Sequence, residues 1–183
     1  MTSLEASKSS LETKTFEDLK EEINSIDSND VNALNEMSKN FWNDALINKL
    51  DNETVKSFVN KVSEKWDVNS MTEMSKNFKN DALINKLDNE TVKSFVNKVS
   101  EKWNVISMTE MSKNFKNDAL INKLDNGTVS NFVENILNKQ YDECIDEVIK
   151  NDIVMNKLDA KTREIVKSKS MSPDDYLEEN WPT

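Results

Sequence analysis

The sequence contains no histidine among its 183 residues. Histidine is the commonest general base and the commonest metal-binding side chain in proteins. Its absence excludes a histidine-dependent catalytic triad and a zinc site built from cysteine and histidine. We therefore expect a non-enzymatic protein with no catalytic, cofactor-binding or metal-binding residues.

Glycine and proline are also scarce, with one glycine and two prolines. A single glycine cannot build a glycine-rich phosphate loop, and we interpret Gly127 as a replacement within the first turn of a helix. Strand-rich folds need many turns, which depend on glycine and proline. The composition therefore predicts helices joined by short polar links, with a thin core because only 36% of residues are hydrophobic.

Cysteine and arginine each occur once, as Cys144 and Arg163. A lone cysteine excludes an intrachain disulfide and fits a reducing compartment. The net charge of −10 and the near absence of arginine disfavour nucleic-acid binding. No segment has the ~20 apolar residues of a membrane span, and residues 1–15 lack the apolar core of a secretory signal. We expect a cytoplasmic protein, with non-classical export left open.

A unit of 37 residues is repeated along the chain. Segments 36–66 and 73–103 differ at one position, where Trp42 corresponds to Lys79. A third copy begins at Glu110 and diverges in its second half, and a fourth, more diverged copy follows at an offset of 34 residues. Surface positions are copied as faithfully as apolar ones, which indicates recent duplication.

Each unit has the periodicity of helices. In its second half, five apolar positions share one helical face, namely Val92, Phe95, Val96, Val99 and Trp103. Asp88 or Asn89 is the expected N-cap of this helix. We predict that the first half starts at a capping box, Ser70 to Glu73. Its apolar positions do not share one face, so it is either a bent helix, which we favour, or two helices separated near Asn80–Asp81.

The pattern predicts an all-α fold of tandem αα-hairpin repeats with a 37-residue period, stacked as a short α-solenoid or an elongated helical bundle. The expected divisions are a disordered tail (1–14), an N-terminal helical segment (15–35), repeat 1 (36–72), repeat 2 (73–109), repeat 3 (110–144), a degenerate repeat or cap (145–170) and a C-terminal tail (171–183).

Both ends of the array differ from its middle. Thr15 and Asp30 are the expected N-caps of two helices that precede the first full copy. In the fourth copy, Arg163 replaces Val129 and Lys167 takes the position of Val133. Polar substitutions of this kind are expected on a terminal capping repeat, although drift explains them equally well.

The array suggests a scaffold or adaptor for protein–protein interaction, because stacked helices present extended surfaces. Near-identical units would place equivalent lysines in register, and an exposed tryptophan is a plausible anchor. The candidate partner surface comprises Trp42, Lys76, Lys86 and Lys93. The alternatives are a carrier of an apolar ligand such as a lipid, and a lineage-specific, host-directed effector.

A lipid carrier would need an apolar channel between its helices. Four large apolar side chains with helical spacing could line one, namely Met74, Phe78, Phe95 and Trp103. A packed core explains the same spacing, and we favour the core.

Overall fold

A computed structural model describes residues 14–41, 43–102 and 104–170. These residues form thirteen α-helices, one 3-10 turn and no strand, which confirms the all-helical class. The N-terminal part comprises α1 (Phe16–Ser25), α2 (Val31–Asn40), α3 (Asp44–Lys49), α4 (Asn52–Lys65), α5 (Val68–Asn77), α6 (Asp81–Lys86) and α7 (Asn89–Glu101). It is followed by α8 (Val105–Lys113), a 3-10 turn (Asn114–Lys116), α9 (Asp118–Lys123), α10 (Asn126–Lys139), α11 (Asp142–Val148), α12 (Asp152–Lys157) and α13 (Ala160–Ser170).

The helices form three stacks. We call α2, α5, α8 and α11 the A helices, α3, α6, α9 and α12 the B helices, and α1, α4, α7, α10 and α13 the C helices. From α2 onwards, one A, one B and one C helix in chain order make up a unit, so that the first unit is α2–α4 and the fourth is α11–α13. Within each stack, every helix packs against the next member along the chain. Each A helix except α2 also packs against the C helix that precedes it in the chain. The N-terminal helix α1 therefore belongs to the stack, through the buried Leu19 and Ile23.

The first half of each unit consists of two helices, so the bent helix that we favoured from the sequence is wrong. Helix α5 ends at Asn77, and α6 starts after Asn80, whose backbone is extended. The Asn80 side chain accepts a hydrogen bond from the Ala82 amide and donates one to Asp44 in the preceding unit. Asparagine favours such caps over helix interiors, and here the cap also joins two units.

The predicted start of this first half is also wrong. Asp67 caps α5, which places Ser70 and Thr72 inside the helix as buried residues. The Thr72 hydroxyl bonds the Ser107 hydroxyl of the next unit at 2.8 Å. Thr72 and Ser107 therefore join the A helices α5 and α8. Neither of these two helices begins at a capping box, since Asp67 and Asn104 are their N-caps. The sequence misled because a side chain that joins two helices can have the same spacing as one that caps a helix.

Other N-caps are as expected. Thr15 caps α1 in a full capping box with Asp18, and Asp30 caps α2. Asp88, rather than Asn89, caps α7. Gly127 lies in the first turn of α10, where an added Cβ would make only an ordinary contact with the Asp125 carboxylate, as our interpretation requires.

The core lies between the A and C helices. In three units a phenylalanine that ends the A segment stacks on one from the following C helix, as Phe78 does on Phe95 with ring centroids 4.8 Å apart. Both rings are buried, as is Met74. Trp103 lies outside the described residues, as do Trp42, residues 1–13 and the C-terminal segment 171–183.

Phe95→Ala is expected to lower the free energy of unfolding by about 3–5 kcal/mol, because it removes a buried ring and leaves a cavity. The measurement is urea-induced unfolding followed by circular dichroism, with Lys79→Ala on the exposed surface as the control. A loss smaller than about 1 kcal/mol would contradict the stacked core.

Candidate interaction surface

The B helices are joined by lysines at their C-terminal ends. Lys86 Nζ donates to the Leu50 carbonyl of the preceding unit at 2.7 Å. Equivalent bonds connect Lys123 to Leu87 at 2.6 Å and Lys157 to Leu124 at 2.5 Å. The last carbonyls of a helix have no partner within it. Each lysine therefore satisfies a helix end in the neighbouring unit, so Lys86 belongs to the contact between units.

A second set of lysines connects successive C helices. Lys56 pairs with Asp88 at 2.7 Å, and Lys93 pairs with Asp125 at 2.8 Å and with Glu90 at 3.1 Å. Each of these aspartates also caps its own helix by accepting from a backbone amide. Lys20 makes the same contact with Asp51 at 3.0 Å. Lys93 is thus also engaged between units.

These bonds have a marked electrostatic consequence. The pKa of Asp51 falls to about 2 because the Thr54 amide donates to its carboxylate, with a further contribution from Lys20. The pKa of Asp88 also falls to about 2, first through Lys56 and then through the Thr91 amide. The same environment lowers the pKa of Asp125 to about 2. Capping and ion pairing account for these shifts, which are structural in origin.

Lys76 makes its ion pair within its own unit. It pairs with Glu73 within α5 at 2.8 Å, and a glutamate–lysine pair with the same spacing of three residues recurs in every unit. The pairs are Glu36–Lys39, Glu73–Lys76, Glu110–Lys113 and Glu147–Lys150. We call these four pairs the Glu–Lys row. Three pairs lie within an A helix, and the fourth joins Glu147 of α11 to Lys150 in the turn that follows this helix.

The sequence interpretation missed most of this row, although a signal was present. Glutamate and lysine three residues apart recur in all four copies, including the diverged fourth. Of the candidate lysines, only Lys76 belongs to the row, since Lys86 and Lys93 make contacts between units. Trp42 corresponds in sequence to Lys79 but lies outside the described residues.

A small apolar patch lies beside the row, at the start of two A helices. Val105 and Ile106 open α8 with exposed fractions of 45% and 55%, and Val68 opens α5 with 38%. Ile106 takes the position of Asn69 in the second unit. The third unit therefore exposes more apolar surface at this position than the second.

Outside this patch, Ile165 of α13 is the other large apolar side chain exposed among the described residues. An open groove of about 450 Å³ between α1 and α2 is lined mainly by polar and charged side chains, with Ile26, Ala33 and Met37 as its apolar members. Within the described residues, no group of three or more acidic or cysteine side chains could hold a metal ion, and no helix is long and apolar enough to cross a membrane. Comparison with protein-family models, curated proteins and solved structures finds no match to this chain.

The pKa values predict how stability depends on pH. A carboxylate with a lowered pKa contributes its full stabilisation above the pKa of the unfolded chain, roughly 4, and loses it as the pH falls towards 2. We expect the urea midpoint to drop between pH 5 and pH 2.5. Replacing Asp51, Asp88 and Asp125 by Asn, which keeps the caps, should weaken this dependence. An unchanged pH profile of the triple variant would contradict the assignment.

A second prediction separates the two groups of lysines. Lys86→Met is expected to lower the free energy of unfolding by about 1 kcal/mol, because the Leu50 carbonyl loses its donor. Lys76→Met should change it by less than about 0.5 kcal/mol, because exposed ion pairs within a helix contribute little. Urea unfolding of both variants under the same conditions measures the difference, and equal effects would contradict the division.

Proposed function

We propose that this chain is a non-enzymatic helical-repeat scaffold that binds a protein partner along the Glu–Lys row. The observation that carries the proposal is the presence of a pair of the row in all four units, including the diverged fourth. Other surface positions of that unit have changed, whereas Glu147 and Lys150 keep the pair.

Stability does not account for the row. A glutamate and a lysine three residues apart on a helix contribute about 0.2–0.5 kcal/mol each, and less when exposed to salt. The packing of the units relies on other side chains, among them Lys86, Asn80 and Asp88. Four pairs that neither join units nor fill the core are free to serve recognition.

The spacing of the row favours an extended or repetitive partner. Packed helices lie about 8–10 Å apart, so each pair recurs at roughly that interval. Three residues of an extended strand or seven residues of a helix span about the same distance. A partner with charged side chains at one of these intervals would meet successive pairs. Lys79 and Lys116, both exposed, add positive charge beside the central pairs.

The carrier of an apolar ligand remains the alternative. Met74, Phe78 and Phe95, which could have lined a channel, are buried against one another and their neighbours in the core. No specific observation favours the carrier over the scaffold, and a host-directed role would be one use of the same scaffold.

The test exchanges the charges of the row while keeping the fold. A variant in which glutamate and lysine are swapped within all four pairs retains the spacing of opposite charges and the net charge. Affinity capture from the native cell, quantified by mass spectrometry, should recover a saturable partner with the natural chain and at least about tenfold less with the variant, equivalent to about 1.4 kcal/mol.

The matched control swaps Glu101 and Lys102, which are both exposed and lie outside the row. We expect the control to capture the partner as the natural chain does. Equal capture by the row variant would place binding elsewhere, and the absence of any saturable partner would overturn the interaction role itself.

A further inference from the structure

We propose that the fourth unit is a dedicated terminator, in which Arg163 and Glu164 close the array against stacking by a second copy of this chain. The inference is independent of the partner proposed above. It concerns the surface of α12 and α13 that corresponds to the surface on which each earlier unit packs against the next unit. We call this surface the stacking face.

Arg163 donates to the backbone carbonyl that would otherwise accept a hydrogen bond from a lysine of a following unit. In earlier units the carbonyl at the end of the B helix accepts a lysine from the next unit, as Leu124 does from Lys157. The corresponding carbonyl of the fourth unit belongs to Leu158, and Arg163 Nη2 donates to it at 2.8 Å. Arg163 also donates to the carbonyls of Met155 and Asn156, at 2.9 and 3.3 Å. One side chain of the fourth unit thus completes the end of its own B helix, which in earlier units is completed by a lysine of the next unit.

Glu164 reverses the charge at the second contact between units, which is the ion pair between a lysine of one C helix and the aspartate that caps the next C helix. At the corresponding position in earlier C helices, Lys56 and Lys93 bind the capping aspartate of the next unit, and Ser130 accepts from the Asp159 amide. Glu164, whose carboxylate lies 3.9 Å from Lys167 Nζ within α13, would instead present a carboxylate to such an aspartate. At the opposite end of the array, Thr15 caps α1 in place of an aspartate. Neither end retains its half of the lysine–aspartate bridge.

Two apolar positions of the earlier C helices are also replaced. Val129 and Val133 are buried in the third unit, whereas Arg163 and Lys167 hold the corresponding positions in the fourth.

The test restores both halves of the contact between units. Arg163→Val, Glu164→Lys and Lys167→Val restore the C-terminal end, and Thr15→Asp supplies the capping aspartate at the N-terminal end. A heterologous contact between unlike ends propagates into open chains. Sedimentation equilibrium should show the weight-average mass of this quadruple variant rising with concentration from 21.1 kDa to beyond that of a dimer, while the natural chain stays monomeric. An excess of the single variant Thr15→Asp should limit these assemblies to heterodimers, because its own C-terminal end is closed.

The matched control carries Thr15→Asp together with Lys79→Val, Glu53→Lys and Lys116→Val, which are the same kinds of change on exposed positions away from the stacking face. It should remain monomeric. Glu164→Lys combined with Thr15→Asp keeps the Arg163 bonds and should associate more weakly than the quadruple variant but more than the natural chain. The terminator is overturned if the natural chain forms head-to-tail chains, if the quadruple variant and the Glu164→Lys, Thr15→Asp variant both stay monomeric, or if excess Thr15→Asp chain fails to limit the assemblies.

Discussion

The structure depends on each unit completing the helix ends of its neighbour. A six-residue helix consists almost entirely of end groups, because the first four amides and the last four carbonyls of any helix lack partners within it. The B helices have this length, and they are stable here because Asn80 and Lys86 reach back to Asp44 and Leu50 of the preceding unit. A unit of this kind gains its structure from the stack, as in other arrays whose repeats contact only their neighbours.

This constraint divides the polar surface into two parts. Side chains such as Lys93 and Asp125 form ion pairs between units. The ion pairs of the Glu–Lys row, such as Glu110 with Lys113, form within one unit. The partner interaction that we propose therefore uses the A helices. In the proposed closure, the bonds from Arg163 to the end of α12 prevent a second copy from extending the row.

Much of the fold could be predicted from the sequence, because periodicity reports burial. The face containing Val92 and Phe95 is buried as expected, and Thr15 and Asp30 cap their helices. The division at Asn80 was one of two alternatives offered by the sequence, because the cap on the Ala82 amide is local, whereas the bond from Asn80 to Asp44 of the preceding unit leaves no pattern in the sequence. The candidate partner surface included Lys86 and Lys93, which make contacts between units. The sequence could not exclude them, because a lysine that binds a distant group has the same sequence pattern as one that faces solvent.

The most direct test of this account is the labelling rate of each lysine amine in the folded protein, measured by mass spectrometry with a small acylating reagent. Lys86 and Lys123, whose amines donate to carbonyls of the preceding unit, should react several-fold more slowly than Lys79 and Lys116 on the exposed surface. The difference should vanish in denaturant. Equal rates in the folded state would contradict the claim that lysines at the B-helix ends hold the stack together.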